Sequence, residues 1–267
     1  ASDVDAVRDL LRVATAKTLV STASNLHFGP EVGVRGRKAD APVFEEWIKT
    51  IRQMADDILS VKGKPSPSAN VILGDSRDIS SYLVPNSIDA VFTSPPYPNE
   101  KDYTRTTRLE TVLLGFVKNK EELRAIKKGL LRSNTRGVYK EDGDDKWVEN
   151  NKTVTAIAEE IERRRVELGK TSGFEKLYAR VTKLYFGGMA RHLAELRPFL
   201  KKGAMLGYVV GDQASYLQVM IRTGSILAEI AEELGYEVVG IDLFRTRIST
   251  VTKAYMREEV VVLRWNK

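Results

Sequence analysis

The stretch IDAVFTSPPY, residues 88–97, decides the fold class of this chain. It joins a short apolar run, Ile88 to Phe92, directly to a rigid turn that begins at Thr93. In open α/β sheets, ligands bind beyond the carboxyl ends of such strands. We therefore expect residues 93–97 to lie at the ligand-binding edge of a sheet.

Short apolar strands and amphipathic helices alternate along the chain around this stretch. The pattern predicts strands at 70–73, 88–92, 204–210, 236–244 and 259–265, and helices at 177–200 and 221–234. Such alternation favours a mostly parallel sheet covered by helices. We predict one α/β domain over residues 1–267, with a Rossmann-like sheet and helices on both of its faces.

Two segments depart from this pattern. Residues 1–65 form a predicted helical segment, with amphipathic helices at 4–20 and 44–59. Residues 118–175 are rich in charges of both signs and read as a helical insertion. The insertion is either a solvent-exposed helical segment without a binding role or a surface that contacts a polyanion.

Composition limits the chemistry and the location of the protein. The formal net charge is +6, which favours a polyanionic partner, although many basic enzymes bind no nucleic acid. Cysteine is absent and only His27 and His192 carry imidazoles, so we expect neither disulfides nor a metal site. No apolar run is long enough to span a membrane, and the first residues lack a secretory pattern. We expect a cytoplasmic protein.

The turn after Phe92 has an unusual chemistry. Two consecutive prolines, Pro95 and Pro96, restrict the backbone torsion angles of the turn. The Pro95 carbonyl can therefore be held in one direction at little entropic cost. The Ser94 hydroxyl and the Pro95 carbonyl are two acceptors that can each accept a hydrogen bond from one N–H group of an amine. Tyr97 offers a flat face on which a base can stack. The alternatives are a turn that only ends a strand and a proline-rich ligand for a partner domain.

Residues 93–97 resemble the catalytic motif of the AdoMet-dependent DNA amino-methyltransferases, which is Asp/Asn/Ser-Pro-Pro-Tyr or a close aromatic variant. The form Thr-Ser-Pro-Pro-Tyr is typical of the cytosine-N4 branch, and residues 74–78, GDSRD, are similar to the segment that precedes the motif in this family. The likeness covers most of residues 70–265. It implies that Ser94, Pro95, Pro96 and Tyr97 are catalytic and hold the target amine and base.

The resemblance also implies a cofactor, a substrate and a reaction. AdoMet would donate a methyl group to the exocyclic N4 of cytosine in DNA, with Asp75, Ser76 and Thr93 near the cofactor. The alternatives are adenine N6, an RNA substrate, or a binding subunit without catalytic activity. Residues 118–175 would then be a possible target-recognition region.

Several basic residues are candidates for contact with nucleic-acid phosphates, although each is more often an ordinary surface residue. The leading candidates are Arg105, Arg108, Arg245 and Arg247, and weaker ones are Arg132, Arg136, Lys140 and Lys253. Asp212, at the end of a predicted strand, either lines the cleft or caps the helix that follows.

One feature of the resembling family is missing. Its members carry a glycine-rich loop of the Phe-x-Gly-x-Gly type after the first strand. Residues 28–36 contain glycines, but no apolar strand leads into them and Pro30 breaks the spacing. We therefore expect the first two strands of the sheet to be absent. Either the chain is a fragment, or a second subunit supplies these strands, and both predict weak AdoMet binding by the isolated chain.

Overall fold

The computed structural model describes residues 3–28, 32–99, 102–249 and 253–267. Its internal contacts divide the chain into two units. The first unit is drawn from residues 1–71 and 103–127, and the second from residues 72–102 and 128–267. The predicted single domain and the segment boundaries at 1–65 and 118–175 remain predictions.

The first unit is mainly helical. Its elements are α1 (Asp3–Thr18), a π-helical turn (Leu19–Ala23), β1 (Leu26–Phe28), β2 (Val32–Val34), α2 (Val43–Ser60), α3 (Tyr103–Thr106) and α4 (Arg108–Leu113). β1 and β2 pair antiparallel, with Leu26 opposite Val34, where we expected a loop without regular structure. The predicted glycine-containing loop includes residues 29–31, which lie outside the described residues.

The two long helices of this unit match the amphipathic helices of the sequence. The Trp47 indole on α2 donates a hydrogen bond to the Thr15 hydroxyl on α1, at 3.0 Å. Ala14 is fully buried, but Val4 and Val7, at the start of α1, are 76% and 54% exposed. The apolar face of α1 is therefore covered only toward its carboxyl end.

The second unit contains the sheet. Its elements are β3 (Ile88–Thr93), α6 (Lys152–Glu167), α7 (Tyr178–Leu196), β4 (Leu200–Gly211), α8 (Thr223–Glu233), β5 (Glu237–Ile248) and β6 (Tyr255–Trp265), and α5 (Lys120–Gly129) crosses from the first unit into it. Short 3₁₀ helices lie at Thr135–Gly137, Asp144–Val148, Glu175–Leu177 and Arg197–Phe199.

The sheet is mixed, which corrects the prediction of a mostly parallel sheet. Its strand order is β3-β4-β6-β5. β3 and β4 are parallel, but β6 runs antiparallel to both β4 and β5. The physical reason is the short connection between β5 and β6, because parallel neighbours need a crossover of a dozen or more residues.

The strand predicted at 70–73 does not form. Val71 and Leu73 are 96% and 98% exposed, and β3 is the last strand of the sheet on this side within the described ranges. A strand needs a hydrogen-bonded neighbour, and the apolar residues at 70–73 have none there.

One face of the sheet carries the core. Tyr185 and Leu193 of α7 and Ile230 of α8 pack in one buried cluster with alternate residues of β4 and β6, such as Tyr208 and Val261. On the opposite face, residues of the same strands are only half-buried. Within the second unit, the described helices α7 and α8 pack on one face of the sheet, and the prediction of helices on the other face stays a prediction. No helix of the described chain combines the length and the apolar character needed to cross a membrane.

Buried ion pairs and a close backbone approach attach the segment before α6 to α7. Gly187 of α7 faces the backbone of Asp144, and an added Cβ would lie 1.9 Å from the Asp144 carbonyl oxygen. The Asp144 carboxylate in turn accepts hydrogen bonds from Arg77, at 2.5 Å, and Arg191, at 3.3 Å. Arg77 is only 6% exposed, so this network is part of the interior.

Candidate active site

The predicted catalytic turn lies at the carboxyl end of β3, as the sequence indicated. Thr93 pairs with Tyr208 of β4, and β4 continues beyond this point to Gly211. The Ser94 hydroxyl donates a hydrogen bond to the Val209 carbonyl, at 3.2 Å. Because the hydroxyl proton is used in this bond, Ser94 Oγ acts as an acceptor toward its other neighbours, and the Tyr97 side chain is also hydrogen-bonded to it. Its remaining lone pair can accept a hydrogen bond from a ligand.

Tyr97 packs against the end of β4. A Cβ added at Gly211 would lie 2.7 Å from Tyr97 Cε2, so the ring fits there only because residue 211 has no side chain. Burial raises the pKa of Tyr97, the negative charge of Glu258 raises it further, and Ser94, Arg245 and Arg247 oppose this rise. The phenol therefore stays neutral at physiological pH.

The far end of the turn is fixed by a shared acceptor. Asn99, with φ of 60°, donates its backbone N–H to the Ser133 carbonyl at 2.6 Å. The buried Tyr216 hydroxyl donates to the same oxygen at 3.4 Å. Pro98, between Tyr97 and Asn99, is buried. The turn is thus tied at Ser94 and again at Asn99, which holds the prolines between two fixed points.

Charged side chains lie beside the turn on β5 and β6. Glu258 is only 6% exposed, and its carboxylate pairs with Arg245, with Nε and Oε2 2.5 Å apart. Arg247 forms a longer ion pair with the other carboxylate oxygen, with Nε and Oε1 3.7 Å apart. The structure therefore brings two of the four predicted phosphate-binding arginines to the same carboxylate near Tyr97.

Asp212 does not act as a helix cap. The residue before α8 is Arg222, and no side-chain hydrogen bond caps that helix end. Asp212 is 1% exposed, and its Oδ2 accepts hydrogen bonds from Arg222, at 2.5 Å, and from the backbone N–H of Arg257, at 3.1 Å. The carboxylate of Asp212 therefore joins the end of β4 to β6 and to the start of α8.

The predicted cofactor residues Asp75 and Ser76 are tied into the interior. Both carboxylate oxygens of Asp75 accept hydrogen bonds from the Arg77 guanidinium, at 2.9 and 2.6 Å. Burial alone would raise the pKa of Asp75, but the contacts with Arg77 outweigh burial and lower this pKa. The same turn borders an open pocket of about 220 Å³, which Ile72, Tyr82 and other mainly apolar side chains line.

His192 connects this turn to the sheet. Its Nδ1 lies 2.7 Å from the Ser76 carbonyl oxygen, and its Nε2 lies 2.8 Å from the Tyr208 hydroxyl. Since a carbonyl only accepts, the neutral ring donates from Nδ1 and accepts the Tyr208 proton at Nε2. Burial lowers the pKa of His192, and its contacts with Ser76 and Asp75 oppose this only in part.

This arrangement predicts a pH-dependent stability. The unfolded chain binds a proton at His192 near pH 6.5, whereas the folded chain binds it at a lower pH. The stabilisation is therefore complete above about pH 6.5 and is lost as the pH falls toward the folded pKa, by at most about 1.4 kcal/mol per pH unit. Urea unfolding between pH 5 and 8 should show this loss for the wild type. The variant His192→Gln cannot titrate and should lack this component, and identical pH slopes for the two proteins would contradict the assignment.

The remaining candidates for phosphate contact are divided between the two units. Arg105 and Arg108 belong to the first unit, where Arg108 Nε donates to the Thr104 carbonyl at 3.1 Å. Arg132 is 4% exposed and pairs with Asp142 at 2.9 Å, so its prediction as a phosphate ligand is wrong for this conformation.

Three residues of the site were not identified from the sequence. They are Glu258, which pairs with the arginines, Gly211, which admits the Tyr97 ring, and Ser133, which accepts from Asn99. Gly211 could have been found, because a glycine at the end of a strand often marks a place where another group lies close to the backbone. Neither Glu258 nor the Ser133 carbonyl has a local sequence signature.

Comparison with known proteins identifies relatives of this chain. No family model matches the sequence. The curated homologues are type II DNA methyltransferases, which agrees with the resemblance seen at residues 93–97.

The particular relatives are M.BsoBI and M.AvaI. M.BsoBI of Geobacillus stearothermophilus is 27% identical over 230 residues, which cover 79% of this chain and 44% of the relative. M.AvaI of a Nostoc strain is 30% identical over 155 residues, which cover 56% of this chain and 31% of the relative. The chain thus spans less than half the length of these relatives. Among solved structures, a protein described as a DNA modification methylase of Thermus thermophilus matches 73% of this chain and 51% of its own, with 14% identity and a TM-score of 0.36.

Proposed function

We propose that this chain carries the base-binding half of a DNA methyltransferase that transfers a methyl group from AdoMet to N4 of cytosine. The observation that carries the proposal is the hydrogen bond from Ser94 to the Val209 carbonyl, at 3.2 Å, which orients an acceptor beside two prolines. The type II methyltransferase homologues support DNA methylation, and the form Thr-Ser-Pro-Pro-Tyr favours cytosine N4.

The chemistry follows from what the turn can hold. The amine of cytosine is a poor nucleophile because its lone pair is delocalised into the ring. Ser94 Oγ and the Pro95 carbonyl would accept hydrogen bonds from its two N–H groups, so that the lone pair points out of the base plane toward the methyl donor. Tyr97 would stack on the base after it has left the duplex. Bound AdoMet would supply the electrophilic methyl group, and transfer in line needs no covalent intermediate on the protein.

The described residues fit AdoMet only in part. The apolar pocket beside Gly74, with Ile72 and Tyr82 in its lining, suits a flat ring. Asp75, however, is already bound by Arg77 at both oxygens. Its Oδ1 accepts two hydrogen bonds and its Oδ2 accepts one, so only Oδ2 has a lone pair left for a ribose hydroxyl. The assignment of Asp75, Ser76 and Thr93 to the cofactor therefore remains a proposal without a derived step.

We propose further that the glycine-rich part of the cofactor site comes from outside the described residues, from another segment or a second subunit. The support is the free edge of β3, which has no neighbouring strand among the described residues, and the 78% exposure of Phe92 on that strand. Exposed strand edges are sites at which further chain can pair.

This second proposal predicts weak cofactor binding by the 267-residue chain alone. We expect titration calorimetry with AdoMet to give a dissociation constant above about 1 mM. Binding should tighten when a polypeptide with a Phe-x-Gly-x-Gly strand and loop is added. Micromolar binding by the chain alone would show that the cofactor site is complete without it.

The proposed reaction is tested by methylation of duplex DNA with labelled AdoMet, with any missing segment restored. Mass spectrometry of the digested nucleosides should give N4-methylcytosine, whereas N6-methyladenine, or label in a parallel RNA substrate, would change the substrate assignment. No labelled product from any of these substrates would end the proposal. DNA binding that is unaffected by Tyr97→Ala, without methylation, would instead indicate a non-catalytic binding subunit.

A glycine substitution separates the position of Tyr97 from the stability of the fold. Gly211→Ala places a Cβ 2.7 Å from the Tyr97 ring, which can swing away, so we expect near-normal unfolding but about tenfold slower methyl transfer. The matched control is Gly207→Ala on the same strand, which meets the Phe92 ring at 2.9 Å. Phe92 is largely exposed and can move into solvent, so the control should keep its activity. Equal activities of the two variants would count against the role of Tyr97.

A further inference from the structure

Glu258 is a buried carboxylate shared by two arginines at the edge of the site. Its side chain is 7% exposed, and each of its oxygens faces one arginine of β5. Oε2 lies 2.5 Å from Nε of Arg245, and Oε1 lies 3.7 Å from Nε of Arg247. From the sequence, both arginines are equivalent candidates for phosphate contact, but their surroundings differ.

Arg247 is held by a second contact. Its terminal nitrogen donates a hydrogen bond to the Asp212 carbonyl at the end of β4, at 3.2 Å. Its Nε is buried and has no hydrogen-bond partner among the residues that the structure describes, because Glu258 Oε1 is too distant. Arg247 is therefore fixed to the sheet. Its Nε is still free to donate a hydrogen bond to Glu258 Oε1 if the two atoms move closer together.

Arg245 is the more exposed of the two. Its side chain is 65% exposed, compared with 40% for Arg247, and Glu258 is its ion-pair partner in the described part of the chain. If Arg245 left, the carboxylate would need another donor, because a buried charge without a partner is strongly unfavourable. The unused Nε of Arg247 can provide that donor. A shift of Arg247 Nε onto Oε1 would therefore keep Glu258 paired after Arg245 had left.

Glu258 lies beside the base-binding turn. A Cβ added at Gly211 would contact the Tyr97 ring and also Glu258 Cγ, which would be 3.4 Å away. The charges of Glu258, Arg245 and Arg247 all act on the Tyr97 phenol. A phosphate next to a base stacked on Tyr97 would thus come within reach of an exposed arginine at this edge.

We propose that Glu258 is a positioning residue that holds Arg245 at the edge of the site until a DNA backbone phosphate replaces its carboxylate, while Arg247 remains on Glu258. This inference rests on the proposed function, because it requires DNA as the substrate. It gives the two arginines different roles. Arg245 binds phosphate. Arg247, on β5, holds this strand to Glu258 of β6 and to the end of β4.

The test measures binding of a labelled DNA duplex by fluorescence anisotropy over a series of salt concentrations, with the 267-residue chain and its variants. Arg245→Ala should bind about 3–10-fold more weakly and lower the slope of log K against log salt by about 1. Arg247→Ala should leave this slope unchanged. Glu258→Gln keeps the shape but removes the competing charge, so binding should tighten by about 3–10-fold.

A double variant separates competition from a general change of charge. If Glu258 competes with phosphate for Arg245, the gain from Glu258→Gln should disappear in the Arg245→Ala background. The matched control is the exposed pair of Arg264 and Glu237, 3.2 Å apart, which joins the same two strands at the other end. Arg264→Ala and Glu237→Gln should not change the slope.

The outcomes distinguish the inference from the proposed function. An unchanged slope for Arg245→Ala, or weaker binding by Glu258→Gln, overturns the inference even if the wild type binds and methylates DNA. A gain from Glu258→Gln that persists without Arg245 also overturns it. If the wild type, with any missing segment restored, neither binds nor methylates DNA, the proposed function fails and the inference fails with it.

Discussion

Replacing Ser94 with alanine is expected to lower the rate of methyl transfer by at least about 100-fold, because the target amine loses one of its two acceptors and its orientation. Ser94 is exposed, and its hydrogen bond to the Val209 carbonyl lies at the surface, so the variant should fold normally. Single-turnover methylation, with urea unfolding in parallel, measures both quantities. The loss should appear in the chemical step rather than in the affinity for DNA.

Ser87→Ala is the matched control for Ser94→Ala. Ser87 lies just before β3, is exposed, and donates its hydroxyl to the Val84 carbonyl at 2.6 Å. Like Ser94, it donates its hydroxyl to a backbone carbonyl, but at the opposite end of the strand and to a neighbour three residues away. We expect this variant to methylate at the wild-type rate. If Ser94→Ala were as active as Ser87→Ala, the proposed reaction would have to be abandoned.

Gly187→Ala is expected to destabilise the fold by more than about 4 kcal/mol, beyond the 1–3 kcal/mol that is usual for overpacking. The new Cβ would lie 1.9 Å from the Asp144 carbonyl oxygen and 2.5 Å from its carbonyl carbon. Both atoms belong to the backbone, so relief requires α7 and the 3₁₀ helix at Asp144–Val148 to separate. Calorimetric unfolding, or loss of soluble protein, would reveal the effect.

Gly129→Ala provides the comparison for this destabilisation. Gly129 is the last residue of α5, and an added Cβ there meets no atom within 4 Å. The substitution should change the unfolding free energy by less than about 1 kcal/mol. A similar stability for the two variants would mean that α7 does not pack closely against Asp144.

The sequence predicted those elements whose pattern is local. The predicted strand at 204–210 lies within β4, and the predicted helix at 221–234 contains α8. The turn after Phe92 is positioned as expected because it follows a strand with a partner, β4. The strand at 70–73 was wrong because apolar residues form a strand only when a neighbour supplies hydrogen bonds.

The arrangement of the site depended on distant residues. Ser94 was identified because its neighbours form a recognisable motif, but its acceptor, Val209, is 115 positions further along the chain. Glu258 reaches Tyr97 only because β6 lies between β4 and β5, an order that hydrophobic periodicity does not specify. The contact of Asp75 with Arg77 was not visible in the sequence, and the role of Asp75 at the cofactor stays a prediction.

The acceptor shared by Asn99 and Tyr216 is the main-chain oxygen of Ser133 and not its side chain. Any residue that follows the same backbone path offers the same oxygen. Another small residue at the buried position 133 would therefore keep this tie, whereas an insertion or deletion in this loop would remove the tie even if residues 93–97 were all retained.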